Sequence, residues 1–115
     1  MPLHRWDEIA KEQINPLMTR QMIHGETMTI ARLVVQKGAI VPEHSHYNEQ
    51  ITTLDKGRMR FMIDGQEHIL NAGESLHIPA HVPHSAEVLE DAVATDVFSP
   101  PREDWIRGDD AYLRK

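Results

Sequence analysis

Short apolar segments separated by turn residues run through most of this chain. Between Thr27 and Ser99, segments rich in β-branched and apolar residues alternate with Gly, Asp, Asn or Pro. β-branched and aromatic side chains favour strands, whereas Gly and Pro end them. Asp64-Gly65, between two such segments, is a strong signal for a two-residue hairpin. The pattern therefore predicts an all-β fold, either a sandwich or a barrel.

The length of the chain suits one domain. With 115 residues, of which 40% are hydrophobic, it can build one core but not two. We predict a single domain over 1–115, with an N-terminal extension over about 1–26, a core over about 27–99 and a C-terminal segment over 100–115. Helical periodicity is confined to "WDEIAKEQI" and "REDWIRGDDAYL", which we expect to form short pieces outside the β structure.

Charge and residue content exclude several classes of function. The formal net charge is −6, from 12 Lys and Arg against 18 Asp and Glu, whereas binding nucleic acid requires a basic face. No apolar run is long enough to span a bilayer, and the N-terminus lacks the apolar centre of a secretory signal. Cysteine is absent, so disulfides and thiol chemistry are excluded. We expect a cytoplasmic protein with neither nucleic acid nor membrane as a partner.

A cluster of polar side chains at His44, His46 and Gln50 suggests a metal site. Side chains on a strand alternate between its faces, so these three would point the same way if the segment stays extended. Two imidazoles spaced in this way reach one cation, and the amide oxygen of Gln50 offers a third donor. His84, on a different strand, would face them across a barrel. The alternative is that an isolated His-x-His pair is exposed to solvent by chance.

The spacing of Gly and Pro around these histidines resembles the paired motifs of the cupin superfamily. The first block reads "GAIVPEHSHYNEQITTLDKG" and the second reads "GESLHIPAHVPH". The resemblance implies a small antiparallel β-barrel of the double-stranded β-helix, or jelly-roll, type. It also implies one divalent metal ion held by His44, His46, Gln50 and His84. Three imidazoles and an amide suit Zn, Ni, Fe, Mn or Cu, so the identity of the metal stays open.

Gln50 departs from the usual cupin motif, which carries Glu at this position. Three neutral imidazoles and a neutral amide leave the charge of the metal uncompensated, which strengthens its pull on an anionic ligand. The set also differs from the two-His-one-carboxylate arrangement of non-haem iron oxygenases. The substitution therefore favours the polarisation of an anionic substrate over oxygen chemistry.

A closer resemblance covers most of the chain. "HSHYNEQITTLDKGRMRF" and "DVFSPPREDW" are similar to the pectin-degradation cupins, which convert 4,5-unsaturated uronates to linear ketonised sugars. In that family an Asp-x-Phe-x-x-x-Arg pattern supplies active-site residues, and here it falls on Asp96, Phe98 and Arg102. The resemblance implies that Asp96 is the general acid/base, that Arg102 pairs with the substrate carboxylate and that Phe98 forms an apolar wall. It favours a metal-dependent isomerase or lyase.

Two other functions stay open from the sequence. One is a small-molecule-binding cupin without catalysis, and the other is an oxygen-dependent dioxygenase. Asp96 and Arg102 also have structural interpretations, as a buried carboxylate that accepts hydrogen bonds and as a clamp for the C-terminal segment. In small cupins the N-terminal segment often adds a strand to a partner's sheet, so the resemblance further implies a homodimer.

Overall fold

The computed structural model of the protein describes residues 2–114; Met1 and Lys115, the ends of the predicted domain, lie outside the described residues. The strands are β1 (Glu12–Asn15), β2 (Met18–His24), β3 (Thr29–Val35), β4 (Ile40–His44), β5 (Glu49–Ile63), β6 (Gln66–Asn71), β7 (Ser75–Ile78) and β8 (His84–Ser99). Helical structure is limited, within this range, to 3-10 turns at Trp6–Glu8 and Ala111–Leu113 and to helix α1 (Glu103–Ile106). The predicted all-β class is confirmed.

Two long strands, β5 and β8, organise the antiparallel sheet. The first half of β5 pairs with the second half of β8, and this layer continues through β3, β2 and β1 on one side and β7 on the other. The remaining halves of β5 and β8 pair with each other, with β6 and with β4. The path of hydrogen-bonded strands from β1 to β6 stays open. The architecture is therefore the predicted jelly roll, without a ring of hydrogen bonds that closes it into a barrel.

β5 bends where Gly57 lies against β8. The register between the two strands shifts between Leu54 and Met59. A Cβ on Gly57 would lie 2.3 Å from the carbonyl oxygen of Asp91 and 2.8 Å from the Cα of Ala92, and the φ of Gly57 is +87°. Only glycine tolerates both conditions. The bulge at this point bends β5 but keeps it one continuous strand.

The segment predicted as an N-terminal extension pairs within the chain. The helix expected over 6–14 is reduced to the turn Trp6–Glu8, and β1 begins at Glu12. The side chain of Gln21 on β2 donates to the carbonyls of Trp6 and Ile9 at 2.6 and 2.8 Å, which holds this turn against the sheet. β2 pairs with β3 along its whole length. Tertiary hydrogen bonds therefore override the weak helical pattern.

The core fills the space inside the bent sheet and ends beside the C-terminal segment. Leu54, Phe61, Val88 and Phe98 are among its buried side chains. The C-terminal segment adds Trp105 from α1, which covers one end of the core. No helix in residues 2–114 has both the length and the apolar character needed to cross a membrane.

Candidate metal centre

Three imidazoles meet at one end of the core. One ring nitrogen from each of His44, His46 and His84 lies within 4.8 Å of the others. His44 ends β4 and is the cross-strand partner of His84, which begins β8. His46 lies in the loop between β4 and β5. The expectation that one extended strand aligns His46 with His44 is therefore wrong, since the chain leaves the strand after His44 and the loop carries His46 to the same point.

The three rings are oriented by the same kind of hydrogen bond. Each Nδ1 lies close to a backbone carbonyl two residues away: His44 with Pro42 at 2.8 Å, His46 with Asn48 at 2.9 Å and His84 with Val82 at 2.8 Å. A carbonyl oxygen only accepts, so in each neutral ring the proton resides on Nδ1 and donates to it. The lone pair of each Nε2 is left for a ligand. Metal-binding histidines in proteins are commonly oriented in this way.

Burial keeps these imidazoles in the neutral form that binds metals. It lowers the pKa of His44 and of His46 to about 4 each, and it also lowers the pKa of His84. The Nε2 of His84 is buried and has no hydrogen-bond partner within residues 2–114. Such an unpaired acceptor costs about 1–3 kcal/mol, and a cation at this point would satisfy it. The donor set therefore fits a metal ion.

The side chain of Gln50 brings a fourth candidate ligand atom to the three imidazoles. Its amide oxygen lies 3.1 Å from the Nε2 of His46. Because the proton of His46 is on Nδ1, both of these atoms are acceptors, and a cation between them relieves their repulsion. Gln50 is buried and lies opposite Phe98 of β8. The structure thus brings together all four residues that the sequence predicted as ligands.

A cavity of about 70 Å³ adjoins the imidazoles inside the sheet. Most of its wall is apolar, with Val41, Phe61 and Val88 among the contributors. Its polar side chains, besides two of the imidazoles, include Gln50, Thr52, Asp96, Arg102 and Tyr112. A mostly apolar lining with a few convergent polar groups is typical of a small-molecule site, while the volume is smaller than the roughly 300–1,000 Å³ of most such sites.

Asp96 is a buried carboxyl on this cavity. Burial raises the pKa of Asp96 to about 6, which is well above the usual value for aspartate. The hydroxyl of Thr52 donates to its Oδ1 at 2.7 Å. Phe98 is two residues further along β8 on the same face, and its ring centroid lies 5.8 Å from that of His46. Asp96 and Phe98 therefore share the buried face of β8.

Arg102 lies at the cavity, and two of the three nitrogens of its guanidinium already donate hydrogen bonds. Its Nε and Nη2 donate to the carboxylate of Asp104 at 2.9 and 2.8 Å, and Nη2 also donates to the hydroxyl of Tyr112 at 3.0 Å. The guanidinium stacks 3.8 Å above the centre of the Trp105 ring. Within residues 2–114 no hydrogen bond uses Nη1. Nε and Nη2 thus hold Asp104, and only Nη1 is left for the substrate carboxylate that the resemblance implies as the partner of Arg102.

Two polar residues of the site went unnoticed in the sequence. Thr52 has the same strand parity as Gln50, so the alternation along β5 could have revealed it. Tyr112, whose ring centroid lies 4.8 Å from that of His44, had no local signal because its position depends on how the C-terminal segment folds back. In contrast, His77 and His81 are exposed and lie outside the cluster.

The chain is similar to known proteins in both sequence and structure. Residues 31–98 match the family model described as "Cupin domain". The chain is 28% identical over 103 residues to the pectin degradation protein KdgF of Dickeya dadantii (strain 3937), covering 87% of this chain and 94% of that protein. An RmlC-like cupin from Shewanella frigidimarina NCIMB 400 superposes with a TM-score of 0.86 at 28% identity, over 91% of this chain and 96% of that one. KdgF from Halomonas sp. superposes with a TM-score of 0.85 at 25% identity, over 91% of this chain and 98% of that one.

Proposed function

The chain belongs to the cupin family, and from that membership we propose that it is a metal-dependent enzyme that opens and ketonises a small anionic sugar acid, a 4,5-unsaturated uronate. The observation that carries the proposal is the convergence of three neutral imidazoles and the Gln50 amide oxygen beside a buried carboxyl of raised pKa. The similarity to two KdgF proteins, one of them named for pectin degradation, supports the class of substrate.

His44, His46, Gln50 and His84 would hold one divalent ion, which is Zn, Ni, Fe, Mn or Cu. When bound, such an ion polarises an oxygen of the substrate as a Lewis acid. Because all four of these residues are neutral, they would leave the positive charge of the ion uncompensated, which favours a substrate that carries a carboxylate. The apolar wall of the cavity limits the water that competes for this charge.

Asp96 is the proposed acid/base because the reaction moves protons and no electrons. The hemiacetal hydroxyl loses its proton as the carbon–oxygen bond of the ring breaks, and a proton is added to the alkene carbon as the enol becomes a ketone. The product is an isomer of the substrate. A carboxyl with a pKa of about 6 exchanges protons readily near neutral pH.

Two further side chains complete the proposal. The Nη1 of Arg102, which makes no hydrogen bond within the described part of the chain, binds the substrate carboxylate. Phe98, whose ring packs edge-on against that of His46 at a centroid distance of 5.8 Å, forms the wall that orients the sugar. By family analogy alone, the active form is a homodimer.

The test is turnover of 4,5-unsaturated galacturonate, followed by the loss of its ultraviolet absorbance. We expect turnover by the metal-loaded protein, its disappearance after chelation and its return when metal is added back. Asp96→Asn should lower kcat by about 100- to 10,000-fold. Asp109→Asn, which changes an exposed carboxylate on the C-terminal segment, is the matched control and should leave kcat unchanged.

Each alternative function makes a different prediction in the same assay. A filled metal site without turnover, together with measurable uronate binding, would indicate a binding cupin. Turnover that requires oxygen would indicate a dioxygenase. Unchanged turnover in Asp96→Asn would remove Asp96 from the role of acid/base while leaving the metal site in place.

A further inference from the structure

A chain of three polar contacts, two of them buried and the third partly buried, runs from Asp96 to the candidate metal centre. The Thr52 hydroxyl lies 2.7 Å from Oδ1 of Asp96, and Nε2 of Gln50 lies 2.8 Å from that hydroxyl. At the other end of the amide, Oε1 of Gln50 lies 3.1 Å from Nε2 of His46. Gln50 and Thr52 are neighbours on the inner face of β5, and Asp96 is the cross-strand partner of Thr52 on β8.

The direction of each hydrogen bond in this chain follows from the carboxylate. An ionised Asp96 only accepts, so the single proton of the Thr52 hydroxyl is donated to it. The Thr52 oxygen then has only lone pairs to offer to Gln50. The NH₂ end of the Gln50 amide must therefore face Thr52, which leaves the amide oxygen directed at the imidazoles.

The opposite orientation of the Gln50 amide would block metal binding. With the amide flipped, the NH₂ group would donate to the free Nε2 of His46 and occupy the lone pair that a metal needs. The amide oxygen would then face the Thr52 oxygen at 2.8 Å, and both would be acceptors. Without the Thr52 hydroxyl this repulsion disappears, and the flipped amide gains a good hydrogen bond to His46.

From this polarity we infer that Thr52 is a positioning residue that holds the Gln50 amide with its oxygen toward the metal, and that Asp96 sets the direction of the Thr52 hydroxyl. The inference rests on the metal-binding part of the proposed function and not on the identity of the substrate. It explains how a neutral amide serves at a position where the usual cupin motif has a carboxylate. A carboxylate has an oxygen at both ends and needs no such orientation.

The first test is a titration of the metal-free protein with Co²⁺, without substrate. The visible d–d bands of Co²⁺ report both its affinity and its coordination. Thr52→Val keeps the shape of the side chain but removes the hydroxyl, and we expect a loss of affinity of about 10- to 100-fold with a changed d–d spectrum. Thr52→Ser keeps the hydroxyl and should stay within about threefold of the wild type.

Thr53→Val is the matched control, since Thr53 is the next residue on β5 and its hydroxyl contacts Ser75 at 2.8 Å on the opposite face. It should bind Co²⁺ as the wild type does. Circular dichroism and thermal melting establish that each variant is folded. If Thr52→Val does not fold, Thr52→Ala carries the same prediction.

A second background separates positioning from a merely structural role. In Gln50→Glu the ligand has oxygens at both ends, so adding Thr52→Val should cost much less Co²⁺ affinity than it does beside Gln50. An equal loss in both backgrounds, or no loss beside Gln50, would overturn the inference. A wild-type protein that fails to bind Co²⁺ would overturn it together with the proposed metal centre. Co²⁺ binding without uronate turnover would overturn only the proposed substrate.

Discussion

At the scale of single residues, Asp96 shows how burial and function compete. Its carboxyl has the hydroxyl of Thr52 as a donor, yet burial outweighs this hydrogen bond and raises the pKa of Asp96 to about 6. An ionised carboxylate in an apolar wall is unfavourable unless it is fully hydrogen-bonded. A protein that needed only stability would gain from a neutral side chain here.

Asp96→Asn should therefore change how stability depends on pH. A carboxyl whose folded pKa is raised stabilises the fold below its unfolded pKa, and this stability is lost as pH rises through about 6. Relative to the wild type, the metal-free variant should gain about 2–3 kcal/mol in free energy of unfolding between pH 4 and pH 7. Urea denaturation at a series of pH values measures this. A constant difference across the range would mean that the folded Asp96 titrates normally.

At the scale of elements, the bend in β5 decides where the functional residues lie. Gln50 and Thr52 belong to the half of β5 that pairs with β7, whereas Met59 and Phe61 belong to the half that pairs with β6. Gly57 lies between the two halves at the closest approach to β8. The bend is what allows both halves of one strand to line the same cavity.

Gly57→Ala should destabilise the fold more than a glycine substitution at a comparable turn. Gly73 has almost the same φ, +88°, but a Cβ there would meet nothing within 4 Å, which makes Gly73→Ala the matched control. The control should cost about 1–2 kcal/mol from its backbone conformation alone. Gly57→Ala adds the clash with the carbonyl of Asp91 and should cost about 3 kcal/mol or more. Similar urea midpoints for the two variants would contradict the role assigned to close packing.

At the scale of the whole molecule, charged contacts hold the C-terminal segment, whose Tyr112 ring lies 4.8 Å from that of His44, beside the candidate metal centre. Arg20 on β2 is buried, and its Nη2 donates to the Asp110 carboxylate at 2.8 Å. The guanidinium of Arg20 also lies 4.5 Å from the centre of the Trp105 ring. The guanidinium of Arg102 lies 3.8 Å from the centre of the same ring. Through these contacts the fold of the N-terminal hairpin and the position of Arg102 depend on each other.

Asp110→Asn should destabilise the protein because, within residues 2–114, it leaves Glu12, at the longer distance of 3.4 Å, as the one anionic partner of the buried Arg20. We expect a loss of about 3 kcal/mol in free energy of unfolding at pH 7. The exposed neighbour substitution Asp109→Asn should stay within about 0.5 kcal/mol of the wild type.

The loss of stability in Asp110→Asn should also depend on pH. Hydrogen bonds from Arg114 and Arg20 lower the pKa of Asp110, so its stabilising effect is complete above the unfolded pKa, about 4, and is lost as pH falls through the lower folded value. The difference between wild type and Asp110→Asn should be constant from about pH 5 upward and shrink in acid. A difference that grows in acid would show that Asp110 acts through something other than its charge.

The sequence by itself determined the all-β class, and the spacing of its two motifs picked out the four candidate ligand residues. The all-β class depends on local rules, namely the preference of β-branched and aromatic residues for strands and the need for Gly, Asp or Pro at turns. The resemblance to cupins rests on the same local spacing. Nothing in it required knowledge of which strands are neighbours.

The tertiary structure alone decided how those residues are used. The loop that carries His46, the pairing of β1 and β2 within the chain and the partners of Arg102 each depend on contacts that no strand or turn rule encodes. Thr52 and Asp96 are 44 residues apart in sequence, yet their hydrogen bond sets the direction of the Gln50 amide. A hydrogen bond between distant residues exists only once register and strand bending have brought its donor within about 3 Å of its acceptor, and local periodicity carries no information on either.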